Sequence, residues 1–356
     1  MTVYIGVDFH ARQQTISYLT TEDGEIQRTK LDHLAEDIQH QNVRSFYSQF
    51  NGKVIVGFEA GGYSQWFESM LEELGHEIWV GDAAEIRRLA RRKQKNDKRD
   101  ANLILELMVT ERFPRLQRRS ALSREILRQI GYRHKLVKMR TMSKNGLKAI
   151  ALGAGLVVRS QFYSQRGRAM LERLKLTPSV SRQAEDLIEL IDQLNKKIKR
   201  VEEWLSKEAA KDEKVKLLQT QPGIGLLTSL ALVNMLEPVE RFSTARKVTA
   251  YIGMDPVEDS SGDRKRIGSI SKSGSRLMRF LLSEAAQVAI QKDDELRKFF
   301  YRVMKRRNTP KAIVAVGRKL LVRSFIMLRD GIDAEEFARR GVKARSSRVA
   351  HRPSNA

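Results

Sequence analysis

Two apolar runs in the first sixty residues each stop at an acid, and this pattern restricts the fold more than anything else in the chain. Val3-Tyr4-Ile5-Gly6-Val7 ends at Asp8, and Val54-Ile55-Val56-Gly57-Phe58 ends at Glu59. Near-continuous apolar runs of this length read as central strands buried on both faces, so the acids fall at the rim of a sheet. Asp97 and Asp100 follow in Lys95-Asn96-Asp97-Lys98-Arg99-Asp100-Ala101, three residues apart at a helix start, where they share one face. Taken singly, each has a plain explanation as a turn acid or a helix-start acid favoured by the dipole. Taken together, four carboxylates at one point repel one another unless a cation sits among them. Oxygen donors suit a hard divalent ion, Mg2+ or Mn2+.

Charge sets the expected partner. The 356 residues include 66 Lys and Arg against 43 Asp and Glu, a formal net charge of +23. Such an excess gathers anions and favours nucleic acid. Beside a hard cation, it points to phosphodiester chemistry. An anionic membrane surface is the competing partner, but no apolar stretch is long enough to cross a bilayer and no signal peptide is evident. We therefore expect a cytoplasmic protein without a membrane partner. The absence of cysteine excludes disulfides and cysteine-ligated zinc.

Residues 3–8, 14–20, 26–31, 53–58 and 77–80 read as strands, with Asp23-Gly24 as a hairpin signal between the second and third. Thr15-Ile16-Ser17-Tyr18-Leu19 alternates and reads as half-exposed. Helices are expected over 34–50 and 64–74. Three antiparallel strands followed by alternating helix and strand match an α/β domain of the RNase H kind, placed at 1–115. From Arg87 to Arg99 the chain carries eight Lys or Arg residues, among them Arg91, Arg92 and Lys95. A solvated helix face is the plain reading, but the run leads into Asp97, so phosphate binding is expected.

A basic helical and coiled-coil region is expected over 116–210. Leu122 to Ile150 is helical and basic, suited to contact with a nucleic-acid backbone. Leu187, Ile191, Leu194, Ile198, Val201 and Leu205 form a heptad seam on a long helix. The seam packs within the chain or joins two protomers, and we expect the second. A mainly α third region, 211–340, opens with Pro222-Gly223-Ile224-Gly225, the turn of a helix-hairpin-helix. There Gly223 and Gly225 let the backbone approach a phosphate. An ordinary helix–helix turn is the alternative. Residues 255–266 read as a loop, followed by helices over 277–290, 294–306 and 310–329. Residues 341–356 read as a disordered basic tail.

These pieces also resemble a known family. Gly6-Val7-Asp8, Glu59-Ala60-Gly61, the Lys-x-Asp-x-x-Asp-Ala motif at 95–101, Pro222-Gly223-Ile224-Gly225, Tyr251-x-Gly253-x-x-Pro256, Ser260-Ser261-Gly262 and Ile270-Ser271-Lys272-x-Gly274 occur in the order found in transposases of insertion-sequence family one-hundred-ten. Those proteins are also called bridge recombinases, and Piv-type DNA invertases are relatives. The resemblance covers roughly residues 3 to 335. It implies a RuvC-like domain with a DEDD acid set, a coiled-coil region and a transposase domain with a nucleophilic serine. Carried over, the acids are Asp8, Glu59, Asp97 and Asp100, acting as catalytic metal ligands, and the serine is Ser261. The resemblance further implies donor and target DNA as substrates and a structured bridge RNA as guide. It also implies a homo-oligomer, dimer or tetramer on DNA, and a prokaryotic cell with the protein at the nucleoid when active.

Ser261 has its own chemical case. A serine hydroxyl is a poor nucleophile until a base, a metal or nearby cations activate it. A Gly-flanked loop exposes it, and Arg264, Lys265 and Arg266 stand ready to hold a scissile phosphate. Lys272, just beyond the loop, joins this phosphate-binding set. Ser260 is the rival nucleophile. Two other functions stay open: a hydrolytic RuvC-like nuclease or Holliday-junction resolvase with Ser261 incidental, and a non-catalytic nucleic-acid-binding protein.

Overall fold

The computed structural model describes residues 1–34, 36–90, 97–157, 163, 165–258 and 267–341, without the side chains at 97, 98, 165, 166, 258 and 267. The chain divides into two compact units, Met1–Arg118 and Arg119–Ala356.

In the first unit, β1 (Thr2–Phe9), β2 (Gln13–Thr20), β3 (Gln27–Asp32), β4 (Lys53–Glu59) and β5 (Glu77–Gly81) form one sheet in the order β3-β2-β1-β4-β5. β1–β2 and β2–β3 are antiparallel. β1–β4 and β4–β5 are parallel. The two apolar runs are thus neighbouring central strands, and both faces of the sheet are covered. On one face, Val3, Ile5, Val7, Val54, Val56 and Phe58 pack with residues of α1 (Gln41–Ser48) and α2 (Gln65–Glu73). On the other, Ile55 packs with Ile86 of α3 (Ala83–Leu89) and with Ile104, Leu107 and Met108 of α4 (Asp97–Val109).

Two expectations need correction here. The helix expected over 34–50 begins only at Gln41: His40 adopts a left-handed conformation (φ 52°) at its start, and the Asp37 carboxylate accepts the Asn42 amide at 3.0 Å. β2 is buried from Gln14 to Ser17 rather than half-exposed. Its polar face lies under α4, where the Ser17 hydroxyl donates to Asn102 Oδ1 at 2.6 Å. The alternation was real, but the second face meets a polar patch of protein instead of water.

The second unit is mainly helical. Its elements are α5 (Ala121–Gly153), α6 (Gln165–Glu172), α7 (Pro178–Ala210), α8 (Glu213–Gln219), α9 (Leu226–Leu236) and α10 (Ala245–Ile252). The hairpin strands β6 (Pro256–Glu258) and β7 (Ile267–Ile270) follow, then α11 (Arg276–Lys292), α12 (Asp294–Arg306) and α13 (Thr309–Asp330). A helix over 334–341 comes last, so residue 341 is helical rather than the first of a disordered tail; 342–356 lie outside the described residues. Residues 256–258 are strand where a plain loop was expected over 255–266, and 259–266 lie outside the described residues.

The heptad seam on α7 has its partner within the chain. Ile198, Val201 and Leu205 share a core with Ile126, Ile130 and Leu136 of α5. Ile191 and Ala184 do so with Leu147 and Ala151 of α5 and Leu171 of α6. This corrects the expectation that the seam joins two protomers. Periodicity marks a face to be buried and does not name what covers it. Ile198 is 3% exposed, so Ile198→Asp buries an unpaired charge and is expected to cost roughly 4 kcal/mol or more of stability. Denaturant unfolding checks this. Unchanged stability combined with a smaller assembly in sedimentation would return the seam to a protomer interface.

Candidate active site

The register of the central strands fixes where the first two acids stand. Val7 pairs with Phe58, so Asp8 and Glu59 follow side by side at the rim where these two parallel strands end. Side chains alternate along a strand. Tyr4 and Ile55 lie in the cluster beneath α4, and Asp8 and Glu59 are each four residues on, so both acids project toward the α4 face. Glycine makes that face accessible. A Cβ at Gly6 would stand 2.6 Å from Leu105 N and 2.7 Å from the Ala101 carbonyl oxygen, and one at Gly57 would stand 2.9 Å from Met108 Cε. Each glycine precedes its strand-end acid by two residues. The same bare stripe seats the first turns of α4 against β1, with Asp100 directly before Ala101.

Both strand-end acids already face cationic or ionisable groups. Asp8 Oδ2 lies 3.2 Å from His10 Nε2, with the Asp8 side chain 16% exposed. Glu59 Oε1 lies 3.3 Å from a terminal nitrogen of Arg87, and Glu59 is 38% exposed. An ion pair this open to solvent is weak and exchangeable. Arg87 opens the basic run of 87–99. The oxygen donors at the rim are of the kind a hard cation takes. Among the described residues no group of three or more ligands stands close enough to hold a metal ion. The Asp97 side chain lies outside them, as do Arg91, Arg92 and Lys95.

Beside Asp8, Phe9 stacks on Phe67 at 5.1 Å between ring centroids, and the His40 ring stacks on Trp66 at 3.6 Å. His33 packs edge-on to Trp66 at 5.1 Å. Burial pushes the His33 ring below the ordinary histidine pKa; the Ala11 carbonyl opposes this and His40 reinforces it. No sequence signal announced the contact of His33 and His40 with Trp66, because the histidines stand on the β3–α1 connection and the tryptophan on α2.

In the second unit, the two later motifs meet backbone to backbone. Gly253 ends α10 in the left-handed region (φ 73°), and a Cβ there would stand 2.7 Å from both the Ser273 and Gly274 amides. The Lys272 amide donates to the Gly253 carbonyl at 3.1 Å, and Ser271 N donates to the Asp255 carbonyl at 2.9 Å. Arg279 locks the pair by donating to the carbonyls of Ile252 at 3.0 Å and Gly274 at 2.7 Å. The Ser271 hydroxyl donates to Asp255 Oδ1 at 2.5 Å. Lys272 takes a left-handed backbone (φ 57°) without being glycine, a cost of about 1 kcal/mol or more held by this network. Its side chain is exposed. The β6–β7 ladder, Pro256 with Ile270 and Glu258 with Ile267, holds the two ends of the segment carrying Ser260 and Ser261. Ser261, Arg264, Lys265 and Arg266 themselves lie outside the described residues.

The Pro-Gly-Ile-Gly turn links α8 to α9, and its glycines differ. Gly223 (φ 93°) presses on α11: a Cβ there would stand 2.7 Å from Ala289 Cβ and 2.9 Å from Ala289 N. Packing inside the protein thus explains this glycine, in place of the phosphate approach read from its spacing. Gly225 is exposed at the start of α9 with open space around it.

Comparison with known proteins follows these two regions. Residues 5–154 match a transposase family model of the DEDD IS110 type, and residues 215–301 match one described as Transposase IS116/IS110/IS902 family. The Sinorhizobium fredii protein y4pF/y4sB, named as a transposase, is 30% identical over 67% of this chain and 62% of its own length. A Pseudomonas aeruginosa protein named as a family 20 transposase is 26% identical over 79% of this chain and 86% of its own. The transposase for insertion sequence element IS1111A of Coxiella burnetii is 25% identical over 74% of each chain. Among the described residues no helix is long and apolar enough to cross a membrane. The chain belongs to the IS116/IS110/IS902 family of insertion-sequence transposases.

Proposed function

We propose that this protein is a DNA transposase that cuts and rejoins strands through a phosphoserine at Ser261. In this reading the first unit is an RNase H-like, RuvC-like domain whose Asp8, Glu59, Asp97 and Asp100 hold Mg2+ or Mn2+. Residues 116–210 form a basic helical region, and 211–340 form the transposase domain. The observation that carries the reading is the common rim: Asp8 and Glu59 project to one face of adjacent parallel strands, where Gly6 seats α4 beside them. Family membership supports it for the chain as a whole.

In the first step Ser261 Oγ attacks phosphorus and gives up its proton to solvent or a nearby base. The phosphorus–oxygen bond to the leaving strand breaks, and that strand departs as a hydroxyl. The new ester keeps the energy of the broken bond, so a hydroxyl from a second DNA end can attack it, release Ser261 and close the junction. When bound, a metal held by Asp8, Glu59, Asp97 and Asp100 would supply charge stabilisation for the phosphoryl chemistry. Arg264, Lys265, Arg266 and Lys272 orient the phosphate, and Arg91, Arg92, Lys95 and the exposed Gly225 turn contact the DNA or RNA backbone. A homo-oligomer presents two DNA ends, and a bridge RNA encoded beside the gene guides both.

The test is purification from cells carrying the gene with its flanking DNA, followed by strand exchange on donor and target duplexes. RNA from the flank is expected to co-purify, and removing it with RNase is expected to stop exchange. Exchange that proceeds at full rate after RNase would remove the guide from the account. With a net charge of +23, nucleic-acid affinity is expected to fall steeply with salt, on the order of a thousandfold between 50 and 200 mM if six or more phosphates are neutralised. A flat response in a filter-binding titration would assign the charge to another purpose.

A further inference from the structure

Within the second unit, α12, α13, the β6–β7 hairpin and the helix over 334–341 enclose an open groove of about 1440 Å³. Its walls are apolar: Phe299 and Val303 from α12, Val314 and Val322 from α13, and Phe337. Its rim is cationic, with Lys272, Arg307, Lys311 and Arg318 lining it. None of these four has an ion-pair partner among the described residues. Two of the three acids on the wall are matched from within, Arg323 reaching Asp293 at 2.6 Å and Glu295 at 2.7 Å, and the third, Glu335, is outnumbered by the rim cations. The groove therefore offers apolar surface inside and unbalanced positive charge at its edge.

We propose that this groove holds single-stranded DNA, with unstacked bases against the apolar walls and phosphates on Lys272, Arg307, Lys311 and Arg318. A duplex hides its base faces by stacking and presents phosphates and base edges, so the apolar walls have no planar face to pack against. An unstacked strand presents planar apolar faces and a regular line of anions together, which is the complement of this groove. Lys311 and Arg318 are seven residues apart on α13, about 10 Å along one face of the helix, so they contact separate phosphates. The groove is bordered by Pro256, Ser269 and Ile270 at the base of the hairpin that carries the Ser261 segment. The identity of the strand rests on the reading of Ser261 as nucleophile: it is the strand freed beside the cleavage point.

The test uses the full chain with Ser261→Ala, so that no cleavage is required. A 12-nucleotide DNA carrying 5-iodouracil is crosslinked by light, and the peptides are mapped. Crosslinks are expected in α12, α13 or 334–341. Lys311→Ala with Arg318→Ala is expected to weaken binding about tenfold and to lower the slope of log affinity against log salt by about 1.4. An abasic strand of equal length is expected to bind at least about tenfold more weakly, since it keeps the charge and loses the bases. Crosslinks confined to other elements, equal affinity for the abasic strand, or tighter binding of RNA of the same sequence would each overturn the proposal. Groove crosslinks in a protein whose wild type forms no adduct at Ser261 would sink the nucleophile and leave the groove standing.

Discussion

Asp8→Asn is expected to lower strand exchange by about a thousandfold or more while leaving the fold intact. Asparagine keeps the size of the side chain and one acceptor oxygen, but removes the charge. A metal contribution of several kcal/mol to phosphoryl chemistry corresponds to a loss of this order. Stability should change little, because Asp8 stands at the sheet rim and asparagine keeps an acceptor oxygen for the partly exposed His10 ring at 3.2 Å. Glu59→Gln and Asp100→Asn should behave alike, and the effects should not add, since all act on one cation. Exchange kinetics and thermal unfolding, run on the same preparations, check both halves. Wild-type exchange in Asp8→Asn would remove the acid rim from the mechanism.

Ser261→Ala is expected to abolish joining outright, because no other atom takes over the covalent step. Ser260→Ala should retain it. The hydrolytic alternative predicts the opposite pattern: cutting persists in Ser261→Ala and releases free ends. Rate measurements with a labelled duplex separate the two. Because the β6–β7 ladder anchors the segment at both ends, loss of one hydroxyl inside it should leave melting temperature within a few degrees of wild type.

The sheet was legible because its signals are local. Apolar runs, the Asp23-Gly24 turn and period-two alternation each report on neighbouring residues, and β1 to β5 fall where those signals lie. The rim position of Asp8 and Glu59 was legible for the same reason: a strand's end and parity can be counted. What failed needed knowledge of a distant partner. The polar face of β2 is buried because Asn102, eighty-five residues away, meets Ser17. The α7 seam is filled by α5, and Gly223 clears α11. The glycines at 6 and 57 carried a readable clue, since a bare position two residues before a strand-end acid in both strands asks for a close helix above. Contacts made by long side chains, such as Arg87 with Glu59, left no pattern to read.

A covalent link between Ser261 and DNA is what separates this recombinase from a hydrolytic nuclease. The most direct measurement traps the reaction on a suicide substrate, denatures it and maps the crosslinked peptide. The account predicts an adduct on Ser261 that is absent from Ser261→Ala and present in Ser260→Ala. An adduct on Ser260, or normal cleavage by Ser261→Ala with no adduct at all, would contradict it.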